Sequence, residues 1–426
     1  MVSVLVSYIF SSSIAEVSLR ETNVSDIQQR YNEKTESHVF MESTPQLNRR
    51  NDIKKINRMT SGFIHEVTFV IRQRNMLELT AILNDVSDPL STNYGRHMTK
   101  DEVAKLTSNP EARDAVVSHL IASGATIVSE TLHSEYITVN ASISVWESML
   151  NTEFFMFHQV KDSSTIRKIV RAESYSIPIG LQLHVDGVFN VVEMPSPYLE
   201  NFGKLVREKV PEEEDVEEIS LASTSFMVPS TLRKFYNVSK TKGSNSSTQA
   251  IFATIEQYFS PSDLATFQNK ANLPSQTVTK AVGGHSSDSI CIADPDSCSE
   301  GNLDVQYVMA TSPNSPTTYW YTGDNWSTWL KSVANTPNPP LVFSISYGQE
   351  EYYVTNAEKD AFNTEAIKLG AIGVTIVAAS GDDGAVSSYT RYLSYGACSY
   401  AAIFPASSPY VTAVGATSVS TSMRFL

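Results

Sequence analysis

From residue 249 to residue 418 the sequence alternates between short apolar runs and segments of helical spacing. "QAIFATIE" reads as a strand, "SPSDLATFQNK" as a helix with Ser260 and Ser262 as cap candidates, and "EGNLDVQYVMATS" as a second helix. "TTYWYT", "PLVFSISYG", "VTIVAASGDDGA" and "YVTAVGATS" are further strands, with "WSTWLKSVA" and "NAEKDAFNTEAIKLG" as helices between them, the latter expected to end at Gly370. Near-continuous apolar strands joined by helices demand a sheet covered on both faces, so the expected fold is α/β with a doubly wound parallel sheet. In such sheets ligands bind beyond the carboxyl ends of the strands. "SYG" (Ser346 to Gly348) and "SGDDGA" (Ser380 to Ala385) stand at two such ends.

The region before it obeys a different grammar. "IHEVTFVIR" alternates as a strand, "NMLELTAILNDV" has helical spacing, and "TKDEVAKL" opens with the Thr99/Glu102 capping-box pattern. "EARDAVVSHLIASGA" is a helix closed by Gly124; "TIVSE" and "EYITVNAS" are strands and "ISVWESML" a helix. This order implies a compact α+β domain over about 64–200. Residues 1–219 hold 21 Lys+Arg and 31 Asp+Glu, whereas 220–426 hold 11 and 15, so charge density halves near residue 220. The run "PEEEDVEEIS" (Pro211 to Ser220) lies on that step, in an acidic linker over 201–224 open to proteolysis. Residues 1–18 resemble a short signal peptide, an apolar run followed by small residues, and 19–62 are polar without period and expected to be disordered.

The 426 residues carry a net charge of −14, which argues against a nucleic-acid partner. No later segment approaches 18 apolar residues, so no membrane span is expected. Seven of eight histidines precede residue 200, leaving His285 alone in the second half. Cys291 and Cys298 are close enough to bridge a short loop, with Cys398 left over, and no CxxC suggests zinc. Sequons at Asn23, Asn140, Asn237, Asn245 and Asn325 fit a secretory route and candidate glycosylation.

G-x-S-x-G, P-loop, G-x-G-x-x-G and H-E-x-x-H patterns are all missing, and "DPDSCSEGNLD" fails as a calcium loop because Cys298 and Ser299 occupy positions needing an oxygen ligand and glycine. No metal site is expected. What remains is carboxylates. Glu300 and Asp304, four apart, share one helical face, either as a solvated acidic pair or as a base with its orienting acid. Like charges at that spacing raise at least one pKa, which suits chemistry in acid. Asp382, between Gly381 and Asp383 after an apolar strand, is placed to cap a turn, bind a cation, or donate a hydrogen bond if protonated.

"EGNLDVQY", "SISYG", "AASGDDGA" and "FPASSPYVTAVGATS", in this order, resemble the sedolisins, or serine-carboxyl peptidases. "VPSTLRKFYNVS", "IEQYFSPSDLATF" and the segment from Thr68 to Thr99 extend the likeness over about 64–418. The resemblance implies a subtilisin-like sheet over 225–426, preceded by a ferredoxin-like, pro-kumamolisin-like activation propeptide that inhibits the same chain until it is cut off near 215–224. It implies peptide substrates and a lysosomal or extracellular acid setting. It also implies that Glu300 is the general base, Asp304 the acid orienting it, and Asp382 the protonated oxyanion donor. The family's nucleophile lies in a G-T-S-x-S motif, which does not occur here, so neither Ser418 nor Ser420 is assigned that role. The family's calcium site lies beyond the last motif, so no cofactor is expected in these residues. The chain as written is expected to be a truncated, inactive form or a pseudopeptidase that binds peptides.

Overall fold

The computed structural model describes residues 37–160, 166–196, 228–238, 242–323, 326–386 and 400–416. Residues 1–18, the linker 201–224, Asn23, Asn325, Cys398, Ser418 and Ser420 lie outside these ranges.

The first unit is built on strands β1 (His38–Ser43), β2 (Ile53–Arg58), β3 (Ile64–Ile71), β4 (Thr126–Glu130), β5 (Tyr136–Ser142), β6 (Phe154–Val160), β7 (Ile166–Ala172), β8 (Ser174–Pro178) and β9 (Val185–Phe189). Its helices are α1 (Met76–Ser87), α2 (Lys100–Thr107), α3 (Pro110–Ala122) and α4 (Ile143–Met149). The central sheet has the order β4-β5-β3-β9 with every pair antiparallel, the ferredoxin-like arrangement of a split βαβ. Val67, Phe69 and Ile71 of β3 enter one core with Val116 and Leu120 of α3 and Trp146 of α4. The intervening Thr68 and Val70 face the other way, into the second unit. The Thr99/Glu102 capping box and the left-handed Gly124 (φ +84°) delimit α2 and α3 as their chemistry requires.

The expectation that 19–62 lacks structure is corrected for its second half, from residue 37 on. β1 pairs with β8 and β2 with β6, both antiparallel. In β2, "IKKINR", only Ile53 is buried and the next five side chains are exposed. A strand held by backbone pairing at a sheet edge leaves no apolar alternation to read.

The second unit contains α5 (Pro229–Phe235), β10 (Gln249–Ala253), α6 (Pro261–Lys270), β11 (Lys280–Val282), α7 (Asp288–Ala293), α8 (Ser299–Thr311), β12 (Thr317–Tyr321), α9 (Trp326–Ala334), β13 (Val342–Ile345), β14 (Gln349–Glu350), α10 (Asn356–Ala371), β15 (Thr375–Ala379), β16 (Ile403–Phe404) and β17 (Thr412–Val414). Six strands form one parallel sheet in the order β11-β12-β10-β13-β15-β17. Along β10, Ala250 and Phe252 point to a core containing Trp329 of α9 and Phe362 of α10. Ile251 and Ala253 point to the opposite core with Leu264 of α6 and Val305 and Met309 of α8. Helices on both faces make the sheet doubly wound. Gly370 does not end α10, which runs on to Ala371 and stops before the left-handed Gly373 (φ +88°). A Cβ on Gly370 would press into Leu83 of α1, so this glycine serves close packing.

The two units share α10. Glu135, ahead of β5, pairs with Lys368 at 2.8 Å; Met98 N–H donates to the Ala371 carbonyl; and Leu79 and Val103 pack with Ile367 and Ala371. Lys100 donates to the carbonyls of Val333, Ala334 and Thr336, where α9 ends. The first unit's last described residues approach the carboxyl end of the parallel sheet, where Ser196 Oγ donates to Gln349 Oε1 at 2.6 Å.

Candidate active site

The site forms where α8 begins and β10, β13 and β15 end. Cys298 is the N-cap residue of α8 and contributes no side-chain cap. A disulfide to Cys291 of α7 ties it down instead. Glu300 and Gly301 donate their backbone N–H groups to Gln257 Oε1 (3.1 and 3.5 Å), satisfying first-turn donors that would otherwise be orphaned. Gly301 lies against the Tyr258 carbonyl and the Tyr319 hydroxyl, both of which a Cβ would strike, so the helix can approach this closely only with glycine there.

One turn on, Asp304 is 8% exposed. Its Oδ1 accepts a 2.6 Å hydrogen bond from Ser346 Oγ at the end of β13, and its Oδ2 is buried without a partner. Burial, then the charge of Glu300, push the Asp304 carboxyl up to about 8 despite the Ser346 bond. A buried oxygen lacking a partner fits a carboxyl that keeps its proton. Glu300 is half-buried and also raised, first by burial and then by the charge of Asp382, which follows β15. Asp382 itself is exposed. Glu300 is therefore within electrostatic reach of both Asp304 and Asp382 at one end of the sheet.

Tyr319 and Tyr347 lie within electrostatic reach of the same carboxyls; burial raises both hydroxyls, and the charges of Asp304 and Glu300 add to it. Sequence reasoning missed Gln257 and Tyr319, and noted Ser346 and Tyr347 only as part of "SYG" and "SISYG". The motif at the end of a parallel strand was the available signal for Ser346 and Tyr347. Nothing local marks Gln257, whose role depends on β10 lying beside β12 and β13.

Among the described residues, no group of three or more His, Cys, Asp or Glu side chains is placed to hold a metal ion, and no helix is long and apolar enough to cross a membrane. Of the sequons, Asn237 and Asn245 are exposed, whereas Asn140 is half-buried within β5.

Residues 51–194 match the pro-kumamolisin activation domain. Tripeptidyl-peptidase 1 of Macaca fascicularis is 32% identical over 370 residues, 83% of this chain and 61% of that protein. Physarolisin of Physarum polycephalum is 32% identical over 378 residues, 85% of this chain and 61% of that protein. Tripeptidyl-peptidase 1 of Homo sapiens is 31% identical over 370 residues, with the same coverages as the macaque protein. The chain thus spans about three fifths of the length of these relatives. A solved structure of Pseudomonas sedolisin, a serine-carboxyl proteinase, aligns with a TM-score of 0.34 at 22% identity, covering 44% of this chain and 52% of that one, too partial a likeness to carry an inference.

Proposed function

The chain belongs to the sedolisin family of peptidases and carries its activation domain in the same polypeptide, and from that premise we propose that it serves acid proteolysis, releasing tripeptides from the amino ends of peptides. Glu300 acts as general base toward a serine hydroxyl, Asp304 orients it, and Asp382 stabilises the oxyanion of the tetrahedral intermediate. The observation that carries this reading is the buried Asp304 carboxyl, fixed by Ser346 one helical turn from a Glu300 that senses Asp382. Such a set needs no imidazole and works where part of it stays protonated, so an acidic compartment of the secretory route, lysosomal or extracellular, is the proposed setting. The activation domain is the proposed intramolecular inhibitor, because its end at Ser196 is bonded three residues from Ser346.

The test is hydrolysis of a free-amino peptide by the protein expressed from its whole gene. Tripeptide release in acid that falls by three or more orders of magnitude in Glu300→Gln supports the proposal. Release unaffected by that change overturns it. A second reading follows from the sequence: these 426 residues contain no G-T-S-x-S segment. A polypeptide of these residues alone is proposed to bind peptides without cleaving them, and tripeptide release by that purified polypeptide would overturn this second reading.

A further inference from the structure

The loop after β10 is the most strained part of the site. Ile255 and Glu256, consecutive and neither of them glycine, both have left-handed backbones (φ 51° and 53°). For a β-branched residue such as Ile255 this is a sterically disfavoured region, and it persists only where surrounding contacts over-determine it. The contacts are present. Gln257 is held by Tyr319, whose hydroxyl donates to its carbonyl, and by the amino end of α8. Tyr258 N–H donates to the Ser297 carbonyl, and Phe259 N–H to the His285 carbonyl. The result is to hold the Glu256 carboxylate outward, 74% exposed, in the residue next to the one that positions Glu300.

That carboxylate is hydrogen-bonded on one side and on the other faces an imidazole, which pairs with it when protonated. Tyr321 Oη donates to Glu256 Oε1 at 3.2 Å, and His285 Nε2 lies 3.6 Å from Oε2. His285 has no freedom to swing away. Its ring is stacked between Tyr321 (centroids 3.3 Å apart) and Tyr258 (4.3 Å), and Nδ1 donates to the Gly283 carbonyl at 3.0 Å. It follows two left-handed glycines and is itself left-handed (φ 60°), and a Cβ on Gly283 would strike the Tyr321 carbonyl, so this turn too is fixed against β12. An exposed glutamate on a surface ordinarily costs the fold nothing and is free to rotate. Here three strained residues and two aromatic rings fix one, at the mouth of a site whose substrates are peptides.

We propose that Glu256, braced by Tyr321 and His285, is the anionic anchor for an ammonium group of the peptide substrate. The inference rests on the peptidase reading above and deepens it. An α-ammonium held there sets how far the chain reaches to the reacting bond, since three extended residues span about 10 Å. A lysine side chain offers the same cation from another source. Fixing the carboxylate before binding spares its ordering when the ligand arrives.

The experiment measures equilibrium binding in the acid-activated protein expressed from the whole gene, in the Glu300→Gln background so that peptides stay intact. The probes are an apolar tetrapeptide amide with a free amino terminus, its N-acetyl twin, and an N-acetyl peptide beginning with lysine. The free-amino probe is expected to bind about two- to fivefold tighter than its acetyl twin, the range of one largely exposed ion pair. Glu256→Gln should bring that ratio to about one. Tyr321→Phe, which keeps the stack and removes only the hydroxyl, should lower it part of the way. Recovery of affinity by the lysine probe supports the anchor and identifies a side chain as a second source of the cation. A ratio that Glu256→Gln leaves unchanged, or a ratio of one from the start, overturns the anchor. Hydrolysis by the protein with Glu300 intact is scored separately. Cleavage with a Glu256-independent ratio sinks the anchor alone, while a Glu256-dependent ratio without cleavage sinks the peptidase reading alone.

Discussion

Lys368 is the position at which removing one side chain should do most to separate the activation domain from the sheet it covers. Its ammonium, on α10, donates to Glu135 Oε1 of the first unit at 2.8 Å and to Glu365 Oε1 at 3.0 Å. The three side chains are only 8%, 4% and 4% exposed. Each contact is worth about 6 kcal/mol of Coulomb energy at an effective dielectric of about 20, but desolvating each ion costs several kcal/mol, so the intact triad is close to neutral for stability. Removing its only cation is not neutral. Lys368→Met leaves two carboxylates facing each other out of water, a loss of about 3–5 kcal/mol. The molecule has two units and need not unfold in one step, so the proper readout is local opening by native-state hydrogen exchange in α10 and β5. The expected acceleration is two to nearly four decades, at about 1.4 kcal/mol per decade.

The sign of the pH dependence gives a second constraint. Burial pushes Glu135 up, but the charge and hydrogen bond of Lys368 outweigh it and hold the carboxyl near 2, below its ordinary 4.5. Its contribution is therefore complete above 4.5 and is lost as pH falls towards 2. In Lys368→Met the deficit should be largest at neutral pH and shrink in acid, where the bared carboxylates take up protons. Adding Glu135→Leu and Glu365→Met should restore protection to within about 1 kcal/mol, because a well-packed apolar replacement avoids the desolvation cost. Acceleration below tenfold at pH 7, or a deficit that grows in acid, would refute the reasoning.

Three further outcomes are expected. Glu358, the capping-box residue of α10, is pushed up to about 8 by burial and then by Glu193, with Glu42 adding to it, so its contribution is present below 4.5 and lost as pH rises through 8; Glu358→Gln, which still caps, should slow hydrogen exchange in α10 at pH 8 by one or more decades and leave it unchanged at pH 4.5. Asp382→Asn removes a charge that raises Glu300, so the Glu300 carboxyl should titrate at lower pH by carbon-13 NMR, and a titration that stays put would disconnect the two residues. Gly301→Ala forces α8 off Tyr258 and Tyr319 and should cost about 1–3 kcal/mol in chemical denaturation, with peptide hydrolysis falling in step.

Much of the second unit was legible in sequence because its central strands are apolar on both faces: β10 alone feeds two cores. The same logic failed for β1 and β2, whose side chains are mostly exposed or half-buried and whose place is fixed by the backbone of β8 and β6. It also misjudged Gly370, since a glycine that admits a neighbouring helix and a glycine that ends a helix look alike until Leu83 is known to be the neighbour.

For the site, spacing along one helix was enough to pair Glu300 with Asp304, and a motif at the end of a strand was enough to single out Asp382. What spacing could not supply was the difference between them. Asp304 is the more deeply buried and keeps an oxygen without a partner, whereas Glu300 is half-open towards Asp382. That difference is set by Ser346, Tyr319 and Tyr347, which reach the helix only because β10 separates β12 from β13 in the sheet. The same strand order brings the loop after β10 between α8 and the 283–285 turn, so Glu256 and Gln257, adjacent in sequence, face outward to solvent and inward to Glu300. Sheet order, rather than any local pattern, thus gives two ordinary carboxylates on one helical face their unequal burial and surroundings.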